Sequence, residues 1–321
     1  MTRRVLVTGG AGFIGSHAVD AFLALGDQVA VVDDLSAGHR TQVPSAAEFH
    51  QLDIRSPDAA RLVREGRFDL LIHLAAQMDV RKSVADPAAD ARINVEGTLN
   101  LLEAARAAAV PPRCLFASSG GAVYGDRVEP PTDESAAKDP QSPYGVAKLS
   151  VEYYLAYYGR VHGLGAMALR FSNVYGPRQD PHGEAGVVAI FCDRLLGGAA
   201  LTVYGDGRQT RDYVAVGDVV RALTSAARAP MPPAGGIDAR AFNIGTGVET
   251  DVLTLATTLA AAAGIAPRIR HEPDRPGEQR RSAVRIDSAA RALGWRPQVA
   301  LADGLADTYA WFAARRAKGA A

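Results

Sequence analysis

The chain has 321 residues, 48% of them hydrophobic and 22% charged, with 35 basic and 35 acidic side chains. That balance excludes a polybasic nucleic-acid or membrane surface, and no stretch is long and apolar enough to span a bilayer. The length predicts a large core and two domains, and the only two cysteines, Cys114 and Cys192, predict buried free thiols in a reducing compartment. The apolar run after Arg3 and Arg4 is cut by Gly9 and Gly10 before it could serve as a secretion signal, so the expected location is the cytoplasm.

Val5 to Thr8 reads as a short buried strand. Gly9, Gly12 and Gly15 follow at a spacing of three, and Phe13 to Leu25 reads as a helix closed by Gly26-Asp27. Gln28 to Asp33 is a second strand. A strand, glycine turn, helix and strand closing within about thirty residues is the βαβ unit of a dinucleotide-binding fold. The glycines allow a tight turn, a close backbone approach to a pyrophosphate and close helix–strand packing. Phe13 and Ile14 open the helix whose N-terminus faces the phosphates. Asp33 ends the second strand, where a carboxylate accepts hydrogen bonds from ribose hydroxyls and repels a 2′-phosphate. This favours NAD over NADP, with Arg40 downstream as the one contrary sign.

Strands are expected at Glu48–Leu52, Asp69–Leu74 and Arg113–Ala117, and a long helix at Pro87–Ala109 stopped by Pro111-Pro112. Asp53 and Ile54 fall at the carboxyl edge of the sheet, where an adenine amino group could be held. Ala75 and Ala76 are small residues that leave room for a cofactor backbone. An acid- and proline-rich loop from Asp126 to Ser142 leads to a helix starting at Pro143. Strands alternating with helices predict an α/β fold with a Rossmann-type, doubly wound parallel sheet. After residue 174 the rhythm breaks. Tyr175–Gly183 reads as a long loop, Val187–Leu196 as a helix, and 201–216 as a hairpin-type element. Asp218–Ala227, Val252–Ala263, Ser288–Leu293 and Leu301–Arg316 read as helices, and residues 228–238 as an exposed loop. Residues 1–174, with 212–245 returning to them, are the expected NAD-binding domain. Residues 175–211 and 246–321 form the expected smaller α/β substrate domain. No metal-ligand spacing occurs, and the seven histidines do not cluster.

Tyr144 and Lys148 stand four apart just after Pro143, so a helix starting there puts both on one face. A free tyrosine is a poor base at neutral pH, with a pKa of about 10. An ammonium one turn away is expected to pull that value down. Alone, the pair is a chance-level pattern. Beside a dinucleotide site it becomes a base for an alcohol whose hydride has an acceptor.

Thr8–Gly15, Asp33-Asp34-Leu35-Ser36, Leu52-Asp53-Ile54, His73–Ala76, Ser118-Ser119 with Val123-Tyr124-Gly125, and Tyr144 with Lys148 resemble the extended short-chain dehydrogenase/reductases. Arg170–Pro177, Tyr204–Gly207, Arg211–Tyr213, Phe242–Gly245 and Arg275–Gly277 carry the resemblance through nearly the whole chain. It is closest to the NAD-dependent epimerase/dehydratase family, in particular its UDP-glucose 4-epimerase group. The resemblance implies that Tyr144 is the acid/base and that Lys148 holds the nicotinamide ribose. Cofactor contacts are implied at Gly9, Gly12, Phe13, Ile14, Gly15, Asp33, Asp34, Leu35, Ser36 and Gly38. They continue at Asp53, Ile54, Leu74, Ala75, Ala76, Gln77, Ser118, Phe171 and Val174. Asn94 matches a position that supports the active-site helix or its proton relay. Substrate contacts are implied at Ser119, Gly120, Tyr144, Asn173, Val187, Val188 and Tyr204, with Arg211 and Arg275 neutralising the diphosphate. No metal is implied. Gly120 stands where many members carry a hydroxyl, and the expectation is that Ser119 reaches instead, shifted by the Gly120-Gly121 turn. Glu278 replaces a commoner Asp.

The implied reaction is C4 epimerisation of a UDP-sugar through a transient 4-keto intermediate. A 4,6-dehydratase needs an acid pair just before Val-Tyr-Gly, where this chain has Gly121 and Ala122. A UDP-glucuronate 4-epimerase or decarboxylase stays open, because Arg81, Lys82 or Arg178 could meet a carboxylate, although solvated surface charge is the preferred reading of all three. A simple reductase, and a non-catalytic NAD-binding sensor or scaffold, are the remaining alternatives. Ser282, seven residues after Arg275, is small, which would admit N-acetylated sugars. The resemblance also implies a homodimer built on the helices near 90–109 and 144–162. Tyr153, Tyr154, Tyr157 and Tyr158 give the second an aromatic surface or a core face.

Overall fold

A computed structural model describes residues 2–182, 186–274 and 279–319. Seven parallel strands form the main sheet. Six are β1 (Arg4–Thr8), β2 (Gln28–Asp33), β3 (Glu48–Gln51), β4 (Leu70–His73), β5 (Arg113–Ser119) and β6 (Ala166–Phe171), and the seventh is Ala241–Ile244. Their order is β3-β2-β1-β4-β5-β6 followed by 241–244. The strands are buried on both faces, so they read as continuous apolar runs rather than alternating ones. Val5, Val7, Val31 and Ile72 enter one core with Val19 and Phe22 of the first helix, Phe13–Ala24. Leu6, Val32 and Leu71 enter the other with Leu101, Val151 and Leu155.

The chain runs outward from β1 to β2 and β3 and then crosses to β4 on the other side of β1, so the crevice of this fold opens where β1 and β4 end. Gly9 sits at that point with φ +71°, and a Cβ on it would lie 2.7 Å from the Ala75 backbone nitrogen. Gly15 faces back onto the same turn, where a Cβ would be 2.0 Å from the Gly9 carbonyl oxygen. The glycine spacing therefore allows two close backbone approaches at the switch point.

The expected helix over 87–109 is built differently. Pro87–Ala91 and Gly97–Arg106 are α-helical, and Arg92–Glu96 between them is a π-turn. A short helix, Val80–Ala85, precedes them and escaped the sequence pattern. The hairpin expected over 201–216 does not form. Leu201–Tyr204 pairs in parallel with Ile269–Glu272, Thr210–Arg211 pairs with Thr250–Asp251, and Tyr213–Ala215 pairs with Asn173–Tyr175. Each partner is distant in sequence, and local turn chemistry does not reveal distant pairings. The loop over 228–238 is also more than exposed chain, because Asp238 meets both Arg170 and Lys138.

The C-terminal half has its own apolar cluster, including Tyr175, Val188, Phe191, Cys192, Leu201, Leu255, Leu259, Leu305 and Phe312. Both cysteines are buried and free, as expected. Asp218 is fully buried and accepts the Gln298 and Val299 N–H groups at 3.1 Å, which latches the 295–299 segment to the helix Val216–Ala226. Among the described residues no helix is long and apolar enough to cross a membrane, and no cluster of side chains could hold a metal ion.

Candidate active site

The helix Pro143–His162 starts where its sequence directs. Ser142 caps it by accepting the Gly145 N–H at 3.1 Å, and Pro143 occupies the first turn. Tyr144 falls in that first turn and Lys148 one turn later, both directed toward the end of β5. The Lys148 ammonium donates to the Ala117 carbonyl at 2.8 Å. It lies 4.7 Å from the Phe116 ring centroid and 5.6 Å from that of Tyr144. The Ser119 hydroxyl hydrogen-bonds the Tyr144 phenol. A Cβ at Gly120 would meet Val284 at 2.9 Å and the Arg170 carbonyl at 3.2 Å, so this position faces packed chain.

The expected drop in the Tyr144 pKa is not found. Burial pushes it up to about 12, the negative Asp90 adds to the rise, and the Ser119 hydrogen bond opposes it. Burial likewise pushes Lys148 down to about 8, against the pull of Asp90 and Glu152. Burial of Lys148 and partial burial of Tyr144 disfavour both charged forms, and this outweighs their mutual attraction.

The nucleotide end is equally local. The helix Phe13–Ala24 has no side-chain cap and no acid in its first turn, so its N-terminus is left to an anion. Asp33 accepts the Ala11 and Leu35 N–H groups, both at 2.9 Å, which turns the carboxylate toward the glycine loop. Burial raises its pKa, and the two N–H bonds work against that. Gly38 closes over it, since a Cβ there would be 2.9 Å from Asp33 Oδ1. Arg40 points elsewhere, stacking 4.6 Å from the Phe49 ring centroid and donating to the Val43 carbonyl. Asp34 binds the Ser36 backbone and hydroxyl. A phosphate-binding turn, a bare helix start and a ribose-type carboxylate fit a dinucleotide.

Other expected residues stand differently. Asp53 offers both oxygens to Arg55, whose guanidinium holds its carboxyl below the ordinary range. Ile54 is buried. Ser118 turns its hydroxyl away from the crevice, donating to Glu152 at 2.5 Å, so only its backbone lies along the crevice wall. Leu74, Ala75 and Ala76 follow β4 at the crevice, with the Ala75 N–H on the Thr8 hydroxyl. Gln77 and Asn94 bind each other through backbone and side chain. The Asn94 amide thus ties the π-turn to the loop after β4. Phe171 is buried, and Asn173 Oδ1 lies 3.8 Å from where a Gly121 Cβ would be. Val187 and Val188 begin a helix without side-chain cap or first-turn acid. Tyr204 ends its strand, and Arg211 donates to the Thr210 carbonyl at 2.7 Å. Arg275 lies outside the described residues, as does Glu278.

Sequence reasoning missed the buried support. Arg170 is wholly buried and grips Glu152 at 2.6–3.1 Å, Tyr124 at 2.9 Å and Asp238 at 2.8 Å. Glu152 follows Tyr144 and Lys148 at the same spacing of four, the one signal that could have exposed it. Asp212, also fully buried, accepts the Thr246 and Gly247 N–H groups and the Thr246 hydroxyl.

Residues 5–245 match the family described as the NAD dependent epimerase/dehydratase family. The chain belongs to that family. It is 47% identical to a UDP-glucose 4-epimerase of Mycolicibacterium smegmatis, covering 96% of this chain and 98% of the relative. The solved UDP-glucose 4-epimerase of Thermotoga maritima, with UDP-glucose, superposes with a TM-score of 0.92 at 42% identity, covering 98% of this chain and 99% of that one. That of Thermus thermophilus, in complex with NAD, gives 0.89 at 43% identity, covering 97% and 99%. Gly121 and Ala122, which precede Val123-Tyr124-Gly125, supply no acid or base.

Proposed function

We propose that this protein is a UDP-sugar 4-epimerase that interconverts UDP-glucose and UDP-galactose with tightly held NAD. The observation that carries the reading is the Ser119–Tyr144–Lys148 constellation at the end of β5, on one side of the β1/β4 crevice, with the Asp33 carboxylate at the end of β2 on the other. Relatives named UDP-glucose 4-epimerase at more than 40% identity over nearly the whole chain support it.

Bound NAD supplies a reversible hydride acceptor at the sugar C4. Gly9, Gly12 and Gly15, with the helix start at Phe13 and Ile14, hold its pyrophosphate, and Asp33 takes the adenosine ribose hydroxyls. Tyr144 removes the 4-hydroxyl proton and returns it after the 4-keto sugar has turned over. Ser119 stabilises the phenolate through its hydrogen bond and steers the sugar oxygen. Lys148 holds the nicotinamide ribose. Asn173, the helix start at Val187 and Val188, Tyr204, Arg211 and Arg275 grip the UDP end. Binding energy spent on that remote end leaves the sugar free to rotate. On this reading residues 1–174 and 212–245 hold the cofactor, and 175–211 and 246–321 hold the nucleotide sugar.

Ser282 favours a second substrate class, UDP-N-acetylhexosamines, because it is a small, buried residue in the stretch after Arg275. The uronate reading is weakened because Arg178 is paired with Asp20 at 2.6 Å, and Arg81 and Lys82 are exposed. The enzyme is a cytoplasmic homodimer on this proposal. Val146, Tyr153, Tyr154, Tyr157 and Val161 leave an exposed apolar stripe along the site helix, while Tyr158 turns into the core and donates to Glu103. Light scattering of the purified chain tests the dimer.

Incubation with UDP-glucose, UDP-N-acetylglucosamine and UDP-glucuronate, each followed by proton NMR of the C4 stereochemistry, tests the reaction. Inversion of UDP-glucose that disappears in Tyr144→Phe is the expected result. No inversion of any of the three, or unchanged turnover in Tyr144→Phe, refutes the proposal.

A further inference from the structure

Asp90 is a buried acid that the reaction as described does not use. It lies on the helix Pro87–Ala91, which packs against the helix of Tyr144 and Lys148. Only 1% of its surface is exposed. Its Oδ1 accepts from Gln77 Nε2 at 2.9 Å and Asn94 Nδ2 at 3.0 Å. Both donors are themselves fixed, because the Gln77 N–H binds Asn94 Oδ1 at 2.9 Å and Asn94 Nδ2 binds the Gln77 carbonyl at 2.8 Å. The other oxygen, Oδ2, has no hydrogen-bond partner. Burying a carboxylate this way is costly unless a charge nearby offsets it.

Two buried carboxylates act on Lys148, and they differ in kind. Glu152 is neutralised, with Arg170 on both of its oxygens. Asp90 is held only by neutral amides, so its field extends undiminished to its neighbours. We propose that Asp90 is the counter-charge of the Tyr144–Lys148 pair, a positioning residue that keeps the buried Lys148 side chain an ammonium and the resting Tyr144 a phenol. This rests on the epimerase reading for its consequence, not for its electrostatics.

The groups around Lys148 make the sign definite. Tyr144 and Glu152 face it from its own helix, Asp90 from the neighbouring helix, and His73 from β4, where burial and then the lysine charge depress the imidazole. The Ala117 carbonyl and the Phe116 ring complete its surroundings. Asp90 raises the pKa of both Lys148 and Tyr144. Without its charge, each group loses its proton at lower pH.

The chain has only four lysines, Lys82, Lys138, Lys148 and Lys318, so the ε-carbon of Lys148 can be followed by NMR in the 13C-lysine-labelled holoenzyme and assigned with Lys148→Arg. In Asp90→Asn the Lys148 midpoint is expected to fall by about one pH unit or more. An unmoved midpoint overturns the proposal. Should Asp90→Asn not fold, the Asp90 carboxyl carbon of the unsubstituted holoenzyme is expected to show a step at the Lys148 midpoint, and a flat trace there overturns it equally. In turnover, both limbs of the kcat profile are expected to move to lower pH in Asp90→Asn. A uniform loss at every pH with unmoved limbs marks a merely structural role and also overturns it. If neither protein turns over UDP-sugars, the epimerase reading fails, and the NMR titration still decides the role of Asp90.

Discussion

The Ser119 hydroxyl and the Tyr144 phenol are hydrogen-bonded across the end of β5 and the first turn of the site helix. That bond favours the phenolate, whereas burial and Asp90 both oppose it. Ser119→Ala should therefore lower kcat by about 10- to 100-fold and move its acid limb to higher pH. Gly120→Ser should not restore the activity of Ser119→Ala. Its side chain would point at Val284 and the backbone of β6, so a lower unfolding midpoint without gain of turnover is expected. Steady-state kinetics across pH and urea unfolding of the three variants check both statements.

His73 joins two threonines in the core, with Nδ1 at 2.7 Å from the Thr8 hydroxyl and Nε2 at 2.8 Å from that of Thr98. Burial, followed by the Lys148 charge, pushes its pKa down to about 3. A histidine depressed this far stays neutral in the folded chain while the unfolded chain takes up a proton. Its contribution is complete above the unfolded value near 6.5 and is lost as pH falls from there toward 3. The loss between pH 7 and pH 4 should be about 3 kcal/mol. His73→Asn should flatten the dependence of unfolding free energy on pH in that window; an unchanged slope would contradict the assignment.

Glu152 and Arg170 are both buried, and Ser118 and Tyr124 complete their bonds. Removing Glu152 leaves the buried Arg170 with Asp238, at 2.8 Å, as its remaining carboxylate partner. Glu152→Gln should cost about 3–5 kcal/mol in urea unfolding. Ser118 belongs to the strand end that carries Ser119, so turnover should fall with stability. A cost below about 1 kcal/mol would contradict a dominant role for Glu152 and leave Asp238 as the sufficient counter-charge.

Ser282 is only 7% exposed. If its small size admits an N-acetyl group, Ser282→Tyr should reduce kcat/KM for UDP-N-acetylglucosamine at least about tenfold more than for UDP-glucose. Equal losses on the two substrates would count against a gating role.

The cofactor half of the site was legible because its residues are neighbours in the chain. Gly9 to Gly15 and Asp33 lie within one βαβ unit, and the turn, the bare helix start and the strand end are all short-range consequences of those residues. Ser142, Pro143, Tyr144 and Lys148 were legible for the same reason, since cap, proline and spacing act within two helical turns. The charge state of that pair was decided by tertiary structure. Sequence spacing brings an ammonium near a phenol, but only folding buries Lys148, partly buries Tyr144 and sets the Asp90 carboxylate behind them. The pairing of 201–215 with three distant strands, and the Arg170–Glu152 network, depend likewise on contacts between segments far apart in sequence. Local pattern carries the backbone geometry of this site; burial and long-range packing decide its protons.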